Sequence, residues 1–149
     1  ICNLFKNILV VCVGNICRSP MAEGLFKQTL IDANKSDRMV NSAGLSALVG
    51  HPPDPNACSL MMEKGIDISG YRACQLNQEM IRKSELILVM ELSQKYILEE
   101  NEPSARGKIF RLGEWEKFDI ADPYQKEMHF FEKTLTLIEQ GVSHWVERL

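Results

Sequence analysis

The sequence predicts a three-layer α/β fold with a four-stranded, mostly parallel, twisted sheet and helices on both of its faces. Continuous apolar runs at residues 8–13 and 86–90 are typical of strands buried on both faces, and stretches with helical spacing alternate with them. The chain has 149 residues, of which 45% are hydrophobic and 25% charged, and it contains neither a linker nor an internal repeat. We therefore expect a single domain over residues 1–149.

The first strand and the first helix enclose a short loop. Residues 8–13 form a β-branched apolar run, which predicts strand one. Ser19 is a candidate N-cap, and Pro20 suits the start of a helix whose apolar residues keep helical spacing as far as Leu30. The short loop between them lies at the carboxyl end of the strand, where ligands bind in parallel sheets.

A second strand and helix follow. The strand is expected over residues 39–43, and a loop marked by Gly and Pro should lie on the surface over residues 44–55. Asp54 and Pro55 then begin a helix. It ends at Gly65, because glycine adopts left-handed backbone angles at little cost.

The second half of the chain continues the alternation. LILVM, at residues 86–90, predicts a strand that is buried on both faces, and Ser93 is a candidate cap for the helix after it. The remaining elements are a helix, a weaker strand, a loop and a long amphipathic helix, at residues 93–101, 108–112, 116–124 and 127–148 respectively.

Charge and cysteine content narrow the possible partners. With 17 Lys and Arg against 20 Asp and Glu, the net charge is -3, so we expect no nucleic-acid partner. Any anion that binds must be held by a local group of residues, because the protein has no broad basic surface. Five cysteines make an odd count, which favours a reducing cytoplasm over a disulfide framework. The sequence shows neither a signal peptide nor a membrane span, so we expect a cytoplasmic protein without direct membrane insertion.

The loop from Cys12 to Arg18 has the pattern C-x5-R. Gly14 and Asn15 are the two loop residues best suited to unusual backbone angles, which would let the chain aim several amide N–H groups at one point. The N-terminus of the following helix adds partial positive charge there, and the guanidinium of Arg18 can bind two phosphate oxygens. The loop is therefore predicted to hold a phosphate group.

The same environment favours the thiolate form of Cys12, the nucleophilic form of cysteine. The Ser19 hydroxyl could donate a hydrogen bond to that sulfur and stabilise it both as attacking and as leaving group. The loop lacks the lysine of a nucleotide-binding loop, so that alternative is disfavoured. In the remaining alternative, C-x5-R arises by chance and Cys12 is a small buried residue.

These residues resemble a known family. VCVGNICRSPMAE, residues 11–23, is similar to the signature of the low-molecular-weight protein tyrosine phosphatases. NSAGLSALVGHPPDP, LILVME and ADPY resemble later blocks of the family in the family's order, so the likeness spans almost the whole chain. SAGLSALVG looks most like the bacterial branch that acts with tyrosine autokinases of capsule and exopolysaccharide export.

The resemblance implies catalytic roles for three residues. Cys12 would form a phosphocysteine intermediate, Arg18 would bind the transferring phosphoryl group, and Asp122 would act first as general acid and then as general base. Asp-Pro is also common at turns and helix starts, so Asp122 as a cap and Asp119 as a competing acid remain open.

The resemblance also implies a substrate site. The loop residues that would bind substrate are Val13, Gly14, Asn15, Ile16, Cys17 and Ser19. Tyr124 and either Leu48 or Leu45 would form walls beside the substrate ring. The related arginine phosphatases have threonine at the position of Ile16, so isoleucine favours phosphotyrosine. The family further suggests a reversible disulfide between Cys12 and Cys17, and a small buried residue is the alternative for Cys17.

The predicted function is hydrolysis of phosphotyrosine, with inorganic phosphate as product. The expected partner is a phosphotyrosine protein, in particular a membrane tyrosine autokinase recognised through its cytoplasmic tail. His51, His129 and His144 share no metal-ligand spacing, and we expect neither a metal nor another cofactor. The alternatives are arsenate reduction, which would need resolving cysteines that are missing from residue 75 onward, and a non-catalytic phosphotyrosine reader.

Overall fold

The computed structural model describes residues 5–149 and contains one four-stranded sheet in the order β2-β1-β3-β4, with every strand pair parallel. The strands are β1 Asn7–Cys12, β2 Met39–Gly44, β3 Leu86–Val89 and β4 Ile109–Arg111. The helices are α1 Arg18–Asp32, α2 Pro55–Glu63, α3 Gln78–Lys83, α4 Leu92–Asn101 and α5 Met128–Arg148. The predicted α/β fold with a four-stranded parallel sheet is confirmed.

Helices cover both faces of the sheet. Ile8 and Val10 of β1 point into a core formed with α1, α2 and α5. Leu9 and Val11, which alternate with them, point into a second core formed with α3 and α4. Each such side chain stabilises the fold by roughly 1.5–3 kcal/mol relative to an exposed position. The central strands are therefore apolar from Ile8 to Cys12 and from Leu86 to Val89, as the sequence predicts.

The N-cap predicted for α1 is wrong. The helix begins at Arg18 with Cys17 as N-cap, and Cys17 makes no side-chain cap hydrogen bond. Ser19 lies inside the first turn, and its hydroxyl is 3.0 Å from the sulfur of Cys12 instead. The first N–H groups of α1 therefore donate no hydrogen bond to the side chain of the N-cap residue.

The cap predicted for α4 is also wrong. The helix begins at Leu92, and Glu91 forms a reciprocal capping box with Gln94, so Ser93 lies in the first turn. Helix α2 is as expected: Asp54 caps it by accepting a hydrogen bond of 2.9 Å from the Asn56 N–H. Helix α3 was not predicted.

Four described cysteines, Cys12, Cys17, Cys58 and Cys74, are free thiols. Cys2, which the cysteine count includes, lies outside the described residues. Within residues 5–149, no helix combines the length and the apolar character needed to cross a bilayer.

Helix α5 supports the segment that follows β4, and Gly141 permits the close approach. A Cβ atom at Gly141 would lie 2.8 Å from the Leu112 carbonyl oxygen and 2.7 Å from the Leu112 Cγ. We expect Gly141→Ala to lower the free energy of unfolding by about 1–3 kcal/mol, despite alanine's better helix propensity, because the backbone cannot move aside cheaply. Urea unfolding measures this. Ser143→Ala, at an exposed position of the same helix, should change stability little, and equal stability of the two variants would contradict the argument.

Candidate active site

A pocket opens at the carboxyl ends of the strands, above the loop that joins β1 to α1. Because β1 lies between β2 and β3, the loops after these strands diverge here and leave a crevice. The pocket is lined by Cys12, Val13, Gly14, Ile16, Cys17, Ser46, Leu48, Asp122 and Tyr124. The structure thus brings residues from three distant parts of the chain to one place.

Asn15 gives the loop its curled backbone. It has a φ of 60°, the left-handed region that asparagine tolerates. Its side-chain Nδ2 donates to the hydroxyls of Ser19 at 2.8 Å and Ser42 at 3.0 Å, and its Oδ1 accepts from the Cys74 N–H at 2.9 Å. Gly14 does not lie in the left-handed region, so within the loop Asn15 alone has this conformation, and three hydrogen bonds of its side chain fix it.

Cys12 ends strand β1 at the floor of the pocket, with 2% of its surface exposed. Its sulfur is 3.0 Å from the Ser19 Oγ. Since that oxygen already accepts a hydrogen bond from Asn15, its own proton is available to the sulfur. This arrangement stabilises a thiolate, which can only accept hydrogen bonds.

Arg18 is almost fully buried, with 1% of its surface exposed. Its Nη1 donates to the Glu91 Oε1 and to the Ile120 carbonyl oxygen, both at 2.8 Å. Its Nε has no hydrogen-bond partner within the described chain, and its Nη2 lies 3.6 Å from the Asp122 Oδ2. Nε and Nη2 form one edge of the guanidinium, so this edge remains for two oxygens of a tetrahedral anion.

Glu91 is a site residue that sequence reasoning missed. It orients the Arg18 guanidinium through the 2.8 Å ion pair, while it also caps α4. A signal was present, because Glu91 follows a buried strand, at the sheet edge where ligands bind. Nothing local in the sequence, however, pairs it with Arg18.

Asp122 and Asp119, which the sequence left as competitors, occupy different places. Asp122 lines the pocket, is 42% exposed at its side chain, and accepts a hydrogen bond of 3.0 Å from the Tyr124 N–H. Asp119 instead accepts from the Leu92 N–H at 3.0 Å and from the Arg111 guanidinium at 3.1 Å, and it does not line the pocket. Only Asp122 is therefore placed to exchange a proton with a ligand in the pocket.

The two leucines suggested for the pocket wall also separate. Leu48 lines the pocket beside Val13, and its N–H donates to the Gly14 carbonyl oxygen at 3.1 Å. Leu45 instead packs against the core that β1 and β3 form with helices α3 and α4. Tyr124 lines the pocket as expected, and Ser46 is a lining residue that the sequence reasoning did not single out.

Cys17 is a buried thiol next to the nucleophile candidate. Burial raises the pKa of the Cys17 thiol far above its ordinary value, and the carboxylates of Asp54 and Asp122 add to the effect. Cys17 therefore stays protonated at neutral pH.

A buried polar network behind the loop supports Asn15. The Ser42 hydroxyl donates to the Glu23 Oε1 at 2.6 Å, and the Lys27 ammonium is 2.7 Å from the Glu23 Oε2. Glu23 is 8% exposed, so its charge is largely removed from water and is compensated by these two partners. Sequence reasoning missed Ser42 and Glu23, which meet only through the packing of α1 against β2.

Comparisons with known proteins agree with this geometry. The profile of a family described as low molecular weight phosphotyrosine protein phosphatase matches residues 7–149. The chain is 49% identical over 146 residues to the probable low molecular weight protein-tyrosine-phosphatase EpsP of Ralstonia nicotianae, covering 98% of this chain and 97% of that protein. It is 41% identical over 147 residues to the low molecular weight protein-tyrosine-phosphatase Wzb of Escherichia coli, covering 98% and 97%.

A solved structure of a phosphatase with a similar sequence has the same fold. Wzb of Vibrio vulnificus, determined in complex with benzylphosphonate, superimposes with a TM-score of 0.91 at 35% identity and covers 97% of this chain and 99% of that one.

Proposed function

This chain belongs to the low molecular weight phosphotyrosine protein phosphatases, as its sequence predicts, and from that premise we propose that it works through a phosphocysteine intermediate on Cys12. The observation that carries the proposal is the buried Nε of the Arg18 guanidinium, which has no hydrogen-bond partner within the described chain, beside an Nη2 whose distance to the Asp122 Oδ2 is 3.6 Å, longer than a hydrogen bond. A buried donor without a partner is costly, so the edge that Nε and Nη2 form is adapted to a ligand that supplies two oxygens.

In the first step, the Cys12 thiolate attacks phosphorus in line with the bond to the phenolic oxygen. The S–P bond forms and the P–O bond breaks, while Arg18 and the loop amides stabilise the charge on the three other oxygens. Asp122, as a carboxylic acid, gives its proton to the leaving phenolate. The products are free tyrosine in the protein substrate and phosphocysteine.

In the second step, a water molecule attacks the phosphocysteine. The Asp122 carboxylate takes a proton from the water, the new P–O bond forms and the S–P bond breaks. Ser19 donates its hydrogen bond to the departing sulfur, which lowers the energy of the thiolate. Inorganic phosphate leaves, and both residues return to their starting states.

The intermediate can be tested directly. A phosphotyrosine peptide is mixed with the enzyme and quenched rapidly in denaturant, and mass spectrometry then locates the phosphoryl group. We expect it on the peptide that contains Cys12. A burst of tyrosine peptide release without any phosphorylated enzyme would contradict the mechanism.

Two related activities are distinguished by their substrates. Isoleucine at position 16 supports phosphotyrosine over phosphoarginine, and the pocket walls Leu48 and Tyr124 are suited to an aromatic ring. We expect hydrolysis of a phosphotyrosine peptide and no measurable turnover of a phosphoarginine peptide or of arsenate. Preferential turnover of either alternative would overturn the assignment.

The proposed substrate is the phosphorylated tyrosine tail of a membrane autokinase of capsule or exopolysaccharide production. Support comes from the segment SAGLSALVG, residues 42–50, which resembles that branch and supplies Ser46 and Leu48 to the pocket. A cytoplasmic location is part of the proposal, because the free thiols Cys12, Cys17, Cys58 and Cys74 are typical of a reducing compartment. Cys12→Ser should retain such a kinase from a lysate, and retention of other phosphoproteins alone would contradict this choice.

Replacing Asp122 with asparagine is expected to lower kcat for a phosphotyrosine peptide by roughly 10²- to 10⁴-fold, because the leaving phenolate would lose its proton donor. The loss should be smaller with p-nitrophenyl phosphate, whose leaving group needs less protonation. Asp119→Asn is the matched control and should remain near the wild-type rate. If Asp119→Asn had the larger effect, the assignment of the general acid would be wrong.

A further inference from the structure

One wall of the pocket is a short segment that follows β2. We call residues 45–49 the wall loop, and its residues Ser46 and Leu48 line the pocket. The Ser46 N–H donates to the Val13 carbonyl oxygen at 2.9 Å. The Leu48 N–H likewise donates to the Gly14 carbonyl oxygen at 3.1 Å. These bonds connect the wall loop to the loop that joins β1 to α1.

A second set of contacts to the wall loop comes from the side chain of Gln75. Its Oε1 accepts a hydrogen bond from the Ala47 N–H at 2.9 Å, and its Nε2 donates to the Leu45 carbonyl oxygen at 2.8 Å. A side-chain amide can make both bonds at once, because it has a carbonyl acceptor and an NH2 donor. The wall loop is therefore held by the phosphate-binding loop and by one distant side chain.

The backbone of Gln75 is itself fixed to the sheet. Gly44, the last residue of β2, donates to the Cys74 carbonyl oxygen at 3.0 Å and accepts from the Leu76 N–H at 2.9 Å. These two bonds form a parallel bridge between Gly44 and Gln75. The side chain therefore starts from a defined position, and only its own rotamer freedom is lost when it binds the wall loop.

We propose that Gln75 is a positioning residue that holds the Leu48 side chain against the ring of the substrate. This inference rests on the proposed function. Gln75 does not line the pocket, so it acts on the substrate through the wall loop. In the proposed mechanism Arg18 and the loop amides bind the phosphoryl group, and the Asn15 side chain fixes that loop through hydrogen bonds of its own. Loss of the Gln75 side chain should therefore weaken the contact with the ring and spare the binding of phosphate.

The test measures Gln75→Ala with a phosphotyrosine peptide and, separately, with inorganic phosphate as competitive inhibitor. We expect KM for the peptide to rise about fivefold with kcat within about twofold of the wild type, because two hydrogen bonds at the exposed surface are lost. The inhibition constant of phosphate should not change. An unchanged KM, or an inhibition constant that rises together with KM, would overturn the inference and leave the proposed function intact. A wild type that does not hydrolyse the peptide would overturn both.

Two further variants locate the effect. Gln28→Ala is the matched control, because Gln28 is exposed on α1 and donates to the Asp32 Oδ1 at 3.0 Å, and it should keep the wild-type KM. In the background of Leu48→Ala, adding Gln75→Ala should raise KM by less than about twofold, since the side chain that Gln75 positions is already absent. A full fivefold rise in that background would show that Gln75 acts on something other than Leu48 and would overturn the inference.

Discussion

Replacing Cys12 with serine is expected to abolish hydrolysis, with a fall in kcat on the order of 10⁴-fold or more, to the background rate. A serine hydroxyl must lose a proton before it can attack phosphorus. The atom next to the nucleophile, 3.0 Å from the Cys12 sulfur, is the Ser19 Oγ, which is not a base strong enough to take that proton. Steady-state hydrolysis of a phosphotyrosine peptide measures the loss.

The control for this variant is Cys58→Ser. Cys58 is a free, half-buried thiol outside the pocket, whose sulfur lies 3.7 Å from the Pro53 carbonyl oxygen, and its replacement should leave kcat near that of the wild type. Unchanged circular dichroism of Cys12→Ser would show that the fold is retained. Turnover by Cys12→Ser within tenfold of the wild type would contradict the assignment of the nucleophile.

The hydrolysis rates of the wild type and of Cys12→Ser also test whether the protein is a non-catalytic reader of phosphotyrosine. Equal, near-zero rates for the wild type and Cys12→Ser would favour the reader, because binding through Arg18 and the loop amides does not need the thiolate. Vanadate gives a second criterion: as a five-coordinate mimic of the transition state, it should inhibit the wild type far more strongly than phosphate does.

The parts of the fold that were predictable are those set by burial. Strand β3 and the part of β1 from Ile8 to Cys12 are buried on both faces, so their sequences are apolar without interruption. Helix α3 has only six residues and depends on a distant partner: the Lys108 ammonium donates to the carbonyl oxygens of Ile81 at 2.6 Å and Ser84 at 2.8 Å. The α3 sequence does carry a cap signal, because Asn77 accepts a hydrogen bond of 2.9 Å from the Met80 N–H, but six residues are too few for helical periodicity to show.

The residues of the site also fall into those that the sequence predicts and those that it does not. Cys12 and Arg18 were predictable because one loop contains both and the loop's chemistry follows from local backbone geometry. Asp122 came from the family resemblance alone. Glu91 and Ser42 come from other parts of the sheet, and only the meeting of strand ends brings them to the loop. Sequence patterns report neighbours along the chain, and they therefore identify the loop over residues 12–17 but not the pocket residues that arrive from the ends of other strands.

Replacing Arg18 with lysine is expected to lower kcat/KM by about 10³-fold or more, although the positive charge is kept. The guanidinium uses one end, Nη1, for Glu91 and the Ile120 carbonyl oxygen, and leaves Nε and Nη2 for the phosphoryl group. An ammonium on a flexible chain cannot make both sets of contacts at once. If it pairs with Glu91, the transferring oxygens lose their two donors, and the transition state loses more than the bound substrate does.

Arg148→Lys, near the C-terminus of α5, is the matched control and should hydrolyse a phosphotyrosine peptide at the wild-type rate. Arg18→Ala provides a second measurement, since added guanidinium ion can enter the space and should restore part of the activity in a saturable way. Restoration by guanidinium and not by ammonium would locate the effect in the planar pair of donors. A rate for Arg18→Lys within tenfold of the wild type would mean that charge alone suffices, and the role given to the Nε and Nη2 edge would be wrong.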